Sequence, residues 1–92
     1  MRKKDLEKLR KDIDSVDRVI LAALAKRAKL SQVIGKYKLQ KGMKALDKTR
    51  QKQLIKSRIA MAKARKLSSK LALEIFTRIH KNSLEIQKKI RS

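Results

Sequence analysis

The chain has 92 residues, of which 28 are Lys or Arg and 8 are Asp or Glu, so its formal net charge at pH 7 is +20. It has no cysteine and one histidine, which excludes disulfides, thiolate metal sites and a histidine metal cluster. The absence of proline favours long helices in one domain over residues 1–92, and no apolar run approaches membrane-spanning length. We therefore expect a cytoplasmic protein with no metal, no cofactor and no membrane partner.

The first predicted helix runs from about residue 4 to residue 40, and its apolar positions recur alternately every three and four residues. This heptad seam consists of Leu6, Leu9, Ile13, Val16, Ile20, Ala23, Arg27, Leu30, Ile34 and Tyr37. A seven-residue period indicates left-handed packing against other helices. So long a helix exceeds what two shorter ones can cover, which predicts a second copy of the chain against its far end. Gly35, inside the helix, predicts the close approach of a ligand or another helix.

One member of this seam is the cation Arg27, and a charge in an apolar seam is costly unless something pairs with it. The residues three and four positions away are Ala23, Leu24, Leu30 and Ser31, and none is acidic. Lys38 follows about three helical turns later on the same side, roughly 16 Å along the axis. We expect these two side chains to hold a small anion between them, although Arg27 could instead set the register of a helical bundle. Arg10 lies roughly 25 Å before Arg27, so it could contribute only from a second chain.

A loop at about residues 40–46, with Gly42 as the stop signal, separates the first helix from two shorter helices. The second should run from about residue 47 to residue 65 with Asp47 as its N-cap. The third should run from about residue 69 to residue 90, with Ser68 or Ser69 as its cap. The architecture predicted from the sequence is therefore all-α, with one long and two shorter helices.

Ser83 and Gln87 lie one turn apart on the third helix, on the face that also carries Phe76 and Ile90. Polar groups on an internal face need hydrogen-bond partners. Ser83 could bond only to its own helix and Gln87 could only cross-link helices, but together with Arg27 and Lys38 they favour a ligand site.

The region between residues 48 and 73 contains no acid and nine basic residues, Lys48, Arg50, Lys52, Lys56, Arg58, Lys63, Arg65, Lys66 and Lys70. Such charge is typical of nucleic-acid-binding proteins. However, no aromatic residues are interleaved with these cations for base stacking, and a lysine-rich face also keeps a protein soluble. We therefore interpret this region as a solvated face and do not expect nucleic acid as a partner.

The polar and apolar residues singled out above fall at separations that match a known family over roughly residues 5 to 90. The matching residues are Leu9, Arg10, Ile13, Asp14, Asp17, Ile20, Leu24, Arg27, Leu30, Ile34, Gly35, Lys38, Asp47, Arg50, Ser83 and Gln87. In this pattern the chain resembles the all-helical chorismate mutases. The resemblance implies an intertwined homodimer with two shared active sites. It also implies the Claisen-type rearrangement of chorismate to prephenate in phenylalanine and tyrosine biosynthesis.

The resemblance also implies roles for individual residues. Arg27 would bind one carboxylate of the chorismate dianion, and Arg10 of the partner subunit would bind the other. Lys38 and Gln87 would donate hydrogen bonds to the ether oxygen, where charge builds as the C–O bond breaks. Ser83 would help to hold a carboxylate.

Further residues would complete the pocket. Arg50 would reinforce its anionic end, and the Asp47 backbone together with Gln51 would contact the substrate hydroxyl. The walls would be formed by Ile34, Leu54, His80 and Leu84. Two positions depart from the family pattern, because Gln51 stands where Glu is common and His80 where an aliphatic residue is usual.

A pericyclic rearrangement suits this chain because it needs no nucleophile, metal or proton shuttle. It needs the substrate held in a compact reactive shape beside positive charge. Three alternatives remain from the sequence: an isochorismate-pyruvate lyase on the same scaffold, a basic helical nucleic-acid-binding protein, and a dimeric assembly module with a vestigial pocket. Taken singly, Arg10 and Arg50 are most often solvated residues, and Asp47 is more readily an N-cap than a catalytic acid.

Overall fold

The computed structural model describes all 92 residues and contains three helices and no strand, which confirms the predicted all-α class. Helix α1 spans Lys3–Gln40, α2 spans Lys48–Ala64 and α3 spans Ser69–Ile90. Each helix begins and ends within one residue of the position expected from the sequence. None of the three combines the length and the apolar character needed to cross a bilayer.

Short polar side chains begin the two shorter helices. The Asp47 carboxylate accepts a hydrogen bond from the backbone N–H of Arg50 at 3.0 Å, so Asp47 is the N-cap of α2. The Ser68 hydroxyl accepts from the backbone N–H of Leu71 at 3.2 Å, so Ser68 is the cap of α3. Each cap satisfies a backbone donor that the helix itself cannot pair, a contribution of typically about 1 kcal/mol.

Gly42 follows the end of α1 with a φ of +68°, in the left-handed region that glycine adopts without strain. The backbone N–H of Met43 donates to the carbonyl of Lys38 at 2.8 Å, which satisfies a carbonyl in the last turn of α1. The predicted stop signal therefore ends α1 and turns the chain into the loop before α2.

The chain divides into two compact units, residues 1–30 and residues 31–92. The first unit is the greater part of α1, and most of its seam side chains are exposed in the single chain, with Ile13 60% and Val16 59% accessible. Side chains of this size gain roughly 1.5–3 kcal/mol each when fully buried. The first unit therefore carries an apolar surface that packing within the unit does not cover.

In the second unit α2 packs against α3. The buried apolar residues there are Ala45, Leu54, Ala62 and Ala72, and three of the four are alanines. Three polar residues, Ser31, Ser83 and Gln87, are equally buried. Small and polar side chains thus occupy buried positions in this unit, where large apolar residues are the usual occupants.

Gly35 lies where the final turns of α1 meet α3. A Cβ atom on Gly35 would lie 3.0 Å from Ile90 Cδ1, 3.1 Å from Gln87 Cγ and 3.2 Å from Gln87 Cα. The close approach predicted for this glycine is therefore the approach of another helix.

Replacing Gly35 with Ala should destabilise the protein even though Ala favours helix formation. The Gly35→Ala methyl group would press on the backbone of α3, and overpacking of this kind costs about 1–3 kcal/mol, against a helix gain of about 0.5–1 kcal/mol. We expect the melting temperature, followed by circular dichroism, to fall by several degrees.

Gly42→Asn is the comparison variant, because a Cβ on Gly42 meets nothing within 4 Å and Asn carries less strain than other side chains in the left-handed region. Its melting temperature should fall less than that of Gly35→Ala. A Gly35→Ala protein that melts at or above the wild-type temperature would contradict the packing role of Gly35.

Candidate active site

The site is centred on Lys38, in the last turn of α1. Its ammonium Nζ donates to the backbone carbonyl of Ala45 at 2.7 Å and to the side-chain Oε1 of Gln87 at 3.0 Å. Both acceptors are neutral, so these bonds fix the position of the ammonium without cancelling its charge. An ammonium has three donors, so one N–H remains beyond these two bonds.

The contact with Lys38 also determines how the Gln87 amide is oriented. Lysine can only donate hydrogen bonds, so the amide atom 3.0 Å from its Nζ must be the oxygen. The NH₂ group of Gln87 is therefore directed away from Lys38. Because Gln87 is only 6% exposed, its amide is held in a largely water-free environment, where donor groups act most strongly.

The loop between α1 and α2 is fixed around Lys38 by several bonds. Besides the bond to the Ala45 carbonyl, the Arg91 guanidinium after the end of α3 donates to the carbonyl of Met43. Asp47, which caps α2, then closes the loop. Residues from the end of α1, the loop and the end of α3 therefore hold the ammonium of Lys38 in one place.

A second polar contact lies about two turns before Lys38. The Ser31 hydroxyl of α1 donates to the Ser83 hydroxyl of α3 at 2.9 Å, and the two residues are 5% and 7% exposed. Ser31 and Gly35 are four residues apart on α1, and their neighbours Ser83 and Gln87 are four residues apart on α3. The two helices therefore meet in one register over at least one turn.

The remaining predicted substrate-binding residues differ in burial. Arg10 and Arg27 belong to the first unit, where Arg10 is exposed and Arg27 is half-buried. In the second unit Asp47 and Arg50 are exposed at the start of α2, and Gln51 is half-buried. Gln51 lies on an open surface groove along α2 together with Lys48, Lys52, Ile55, Lys56 and Ile59.

The four predicted wall residues are equally varied. Leu54 is buried at 2% exposure, His80 and Leu84 are half-buried, and Ile34 is exposed. The structure thus brings Lys38 and Gln87 together directly, and it adds the buried Ser83 one turn earlier on α3.

Sequence reasoning assigned no role to Ser31, Ala45 or Arg91. The Ser31 contact had a signal, because Ser31 and Gly35 share the four-residue spacing of Ser83 and Gln87. The acceptor on Ala45 is a backbone carbonyl, which every residue has, so no side-chain pattern could identify it.

The pair of Lys38 and Gln87 offers one charged and one neutral donor. An oxygen atom beside the pair can accept from both, and it would be stabilised most when it carries negative charge. This chemistry requires neither a nucleophile nor a proton transfer.

Comparison with known proteins agrees with this chemistry. The family model for chorismate mutase type II matches residues 9–88, which is most of the chain. No curated protein matches the chain.

Proposed function

The chain belongs to the chorismate mutase type II family and is an enzyme, an isomerase of chorismate, and we propose that Lys38 and Gln87 form the reacting centre of its active site. The reaction breaks a C–O bond of chorismate while a C–C bond forms, which gives prephenate. This is the step toward phenylalanine and tyrosine that the family resemblance implies.

The observation that carries this proposal is the 3.0 Å bond between Lys38 Nζ and Gln87 Oε1. As the ether C–O bond lengthens, negative charge develops on the ether oxygen. The third N–H of Lys38 and the NH₂ group of Gln87 donate to this oxygen. Because both donors are already held in place, little energy is spent on reorienting them as the charge appears, which is why preorganised donors accelerate such reactions.

The carboxylates of the substrate require further cations. By the family register, Arg27 binds one carboxylate and Arg10 of the partner subunit binds the other. A guanidinium suits this role because its planar fork matches both oxygens of a carboxylate. Holding both ends of the dianion keeps it in the compact conformation that reacts.

The remaining residues complete the pocket. Ser83 helps to hold a carboxylate, and Arg50 strengthens the positive potential at the anionic end. The Asp47 backbone and Gln51 contact the substrate hydroxyl, where the amide oxygen of Gln51 accepts without adding a negative charge. The walls are formed by Ile34, Leu54, His80 and Leu84.

A shared site requires a homodimer, and the apolar seam of the first unit supports one. Its side chains are exposed in a single chain, whereas a second copy would bury them. Each dimer then has two identical sites, and each chain forms a single functional domain. A cytoplasmic location suits a water-soluble dianionic substrate and stays a prediction.

The proposal is tested by following the loss of chorismate absorbance with the purified protein and identifying prephenate as the product. Replacement of Lys38 by Ala removes a donor that acts mainly in the transition state, so kcat should fall about a hundredfold or more. Lys36→Ala is the matched control, because Lys36 is an exposed lysine two residues away on α1. Pyruvate release from isochorismate, without turnover of chorismate, would instead favour the lyase.

If Lys38→Ala keeps near wild-type kcat while Lys36→Ala behaves normally, Lys38 is not at the reacting centre. Circular dichroism of both variants separates a loss of activity from a loss of folding.

Mixing two inactive variants tests the shared site. Arg10→Ala and Arg27→Ala chains should each be nearly inactive, but a hybrid dimer contains one site with both arginines intact. After subunit exchange, an equimolar mixture should recover roughly a quarter of wild-type activity, because half of the dimers are hybrids and each has one complete site.

The control mixes Arg27→Ala with the double variant Arg10→Ala/Arg27→Ala, which cannot form a complete site. Equal activity in the two mixtures, with subunit exchange demonstrated by mass spectrometry, would rule out sharing of these arginines between chains.

The pH dependence of activity tests the neutral amide at position 87. Gln87 does not ionise, so it should add no change in activity between about pH 6 and 8. In Gln87→Glu the carboxylate can donate to the ether oxygen only when protonated, so activity should be low at pH 7 and should rise toward acid. Gln53→Glu makes the same charge change at an exposed position of α2 and should keep the wild-type profile. An unchanged profile for Gln87→Glu would contradict the donor role.

A further inference from the structure

We propose that Ser31 is a positioning residue of the active site, which holds Ser83 and, through the register of α1 and α3, the Gln87 amide. The inference rests on the proposed function, since Ser83 and Gln87 matter for catalysis only if they contact the substrate. Ser31 itself would touch Ser83 and not the substrate.

The hydrogen bond between the two serines is buried on both sides. Ser31 Oγ and Ser83 Oγ are 2.9 Å apart, and neither residue exceeds 7% exposure. A buried hydroxyl without a partner is costly, so the pair favours one arrangement of the two side chains over others. Because Ser83 accepts this bond, its hydroxyl is restricted in the directions in which it can rotate.

The location of this bond links it to Gln87. One turn further along both helices, Gly35 lets the backbone of α3 approach so closely that a Cβ would lie 3.2 Å from Gln87 Cα. Beyond it, Lys38 bonds to the Gln87 amide at 3.0 Å. The three contacts form a ladder in the order Ser31–Ser83, Gly35–Gln87 and Lys38–Gln87.

The ladder makes the register of the helices relevant to catalysis. A slide of one residue along a helix moves side chains by about 1.5 Å, which is enough to break the Lys38–Gln87 bond. Gly35 contributes shape but no directed interaction. Ser31 contributes a directed bond about two turns before the Lys38–Gln87 bond, so it helps to specify which groups on α3 lie opposite α1.

The substitution Ser31→Ala removes only the hydroxyl. Because Ser83 holds a substrate carboxylate in the proposed function, we expect KM for chorismate to rise about three- to tenfold in Ser31→Ala, with a smaller decrease in kcat. Ser83→Ala should raise KM at least as much. In the double variant Ser31→Ala/Ser83→Ala, KM should equal that of Ser83→Ala alone, because Ser31 acts through Ser83.

Ser15→Ala is the matched control. Ser15 is an exposed serine on the same helix, and its hydroxyl bonds to the backbone carbonyl of Lys11 at 3.2 Å. It should leave KM and kcat unchanged. A general loss of stability would lower the active fraction and hence kcat, but it would leave KM unchanged. Comparison of KM among the two single variants and the double variant therefore distinguishes positioning from a purely structural role.

The possible results have distinct consequences. A wild-type KM in Ser31→Ala, or multiplication of the two single effects in the double variant, overturns the inference and leaves the proposed function intact. A wild-type chain that does not turn over chorismate overturns the proposed function, and the inference with it. A raised KM in Ser31→Ala, with no further rise when Ser31→Ala is added to Ser83→Ala, supports the positioning role.

Discussion

The hydrogen bond between Lys38 and Gln87 is the interaction on which the rest of this site depends. It joins the end of α1 to the interior face of α3, and its geometry requires the amide oxygen to be directed at the lysine. Because the other acceptor is the neutral carbonyl of Ala45, the lysine is fixed while its positive charge remains available. An ion pair with a carboxylate would have fixed the lysine equally well but would have offset that charge.

Two features of the packing make this bond possible. Gly35 removes the side chain that would otherwise keep α3 away from α1, and the buried serine pair adds a directed contact one turn earlier. A core of large apolar side chains would bury more area and would stabilise the fold more strongly. The second unit instead has small and polar groups where these helices meet, an arrangement that favours a defined register over maximal burial.

Much of the fold could be predicted from the sequence because its signals are local. Heptad spacing, the stop signal at Gly42 and the Asp47 cap depend only on neighbouring residues. They predicted the first and last residues of the helices to within one position. Lys38 and Gln87 were predicted from their spacing and from the resemblance to a family. The matching family model confirms that the chain belongs to this family. The contact of Ser31 with Ser83 depends on how two distant helices are rotated, which their shared four-residue spacing suggests but does not determine. The acceptor on Ala45 belongs to the backbone, so no side-chain pattern could identify it.

The rearrangement of chorismate needs no nucleophile and no metal, because it depends on restraint of the substrate and on positive charge beside the ether oxygen. The central claim is that Lys38 and Gln87 together receive the charge that develops on the ether oxygen. A crystal structure with a rigid bicyclic dicarboxylate ether, shaped like the compact transition state, tests it most directly. Lys38 Nζ and Gln87 Nε2 should both lie within hydrogen-bond distance of the ether oxygen of the ligand. A ligand bound with its ether oxygen away from both atoms would contradict it.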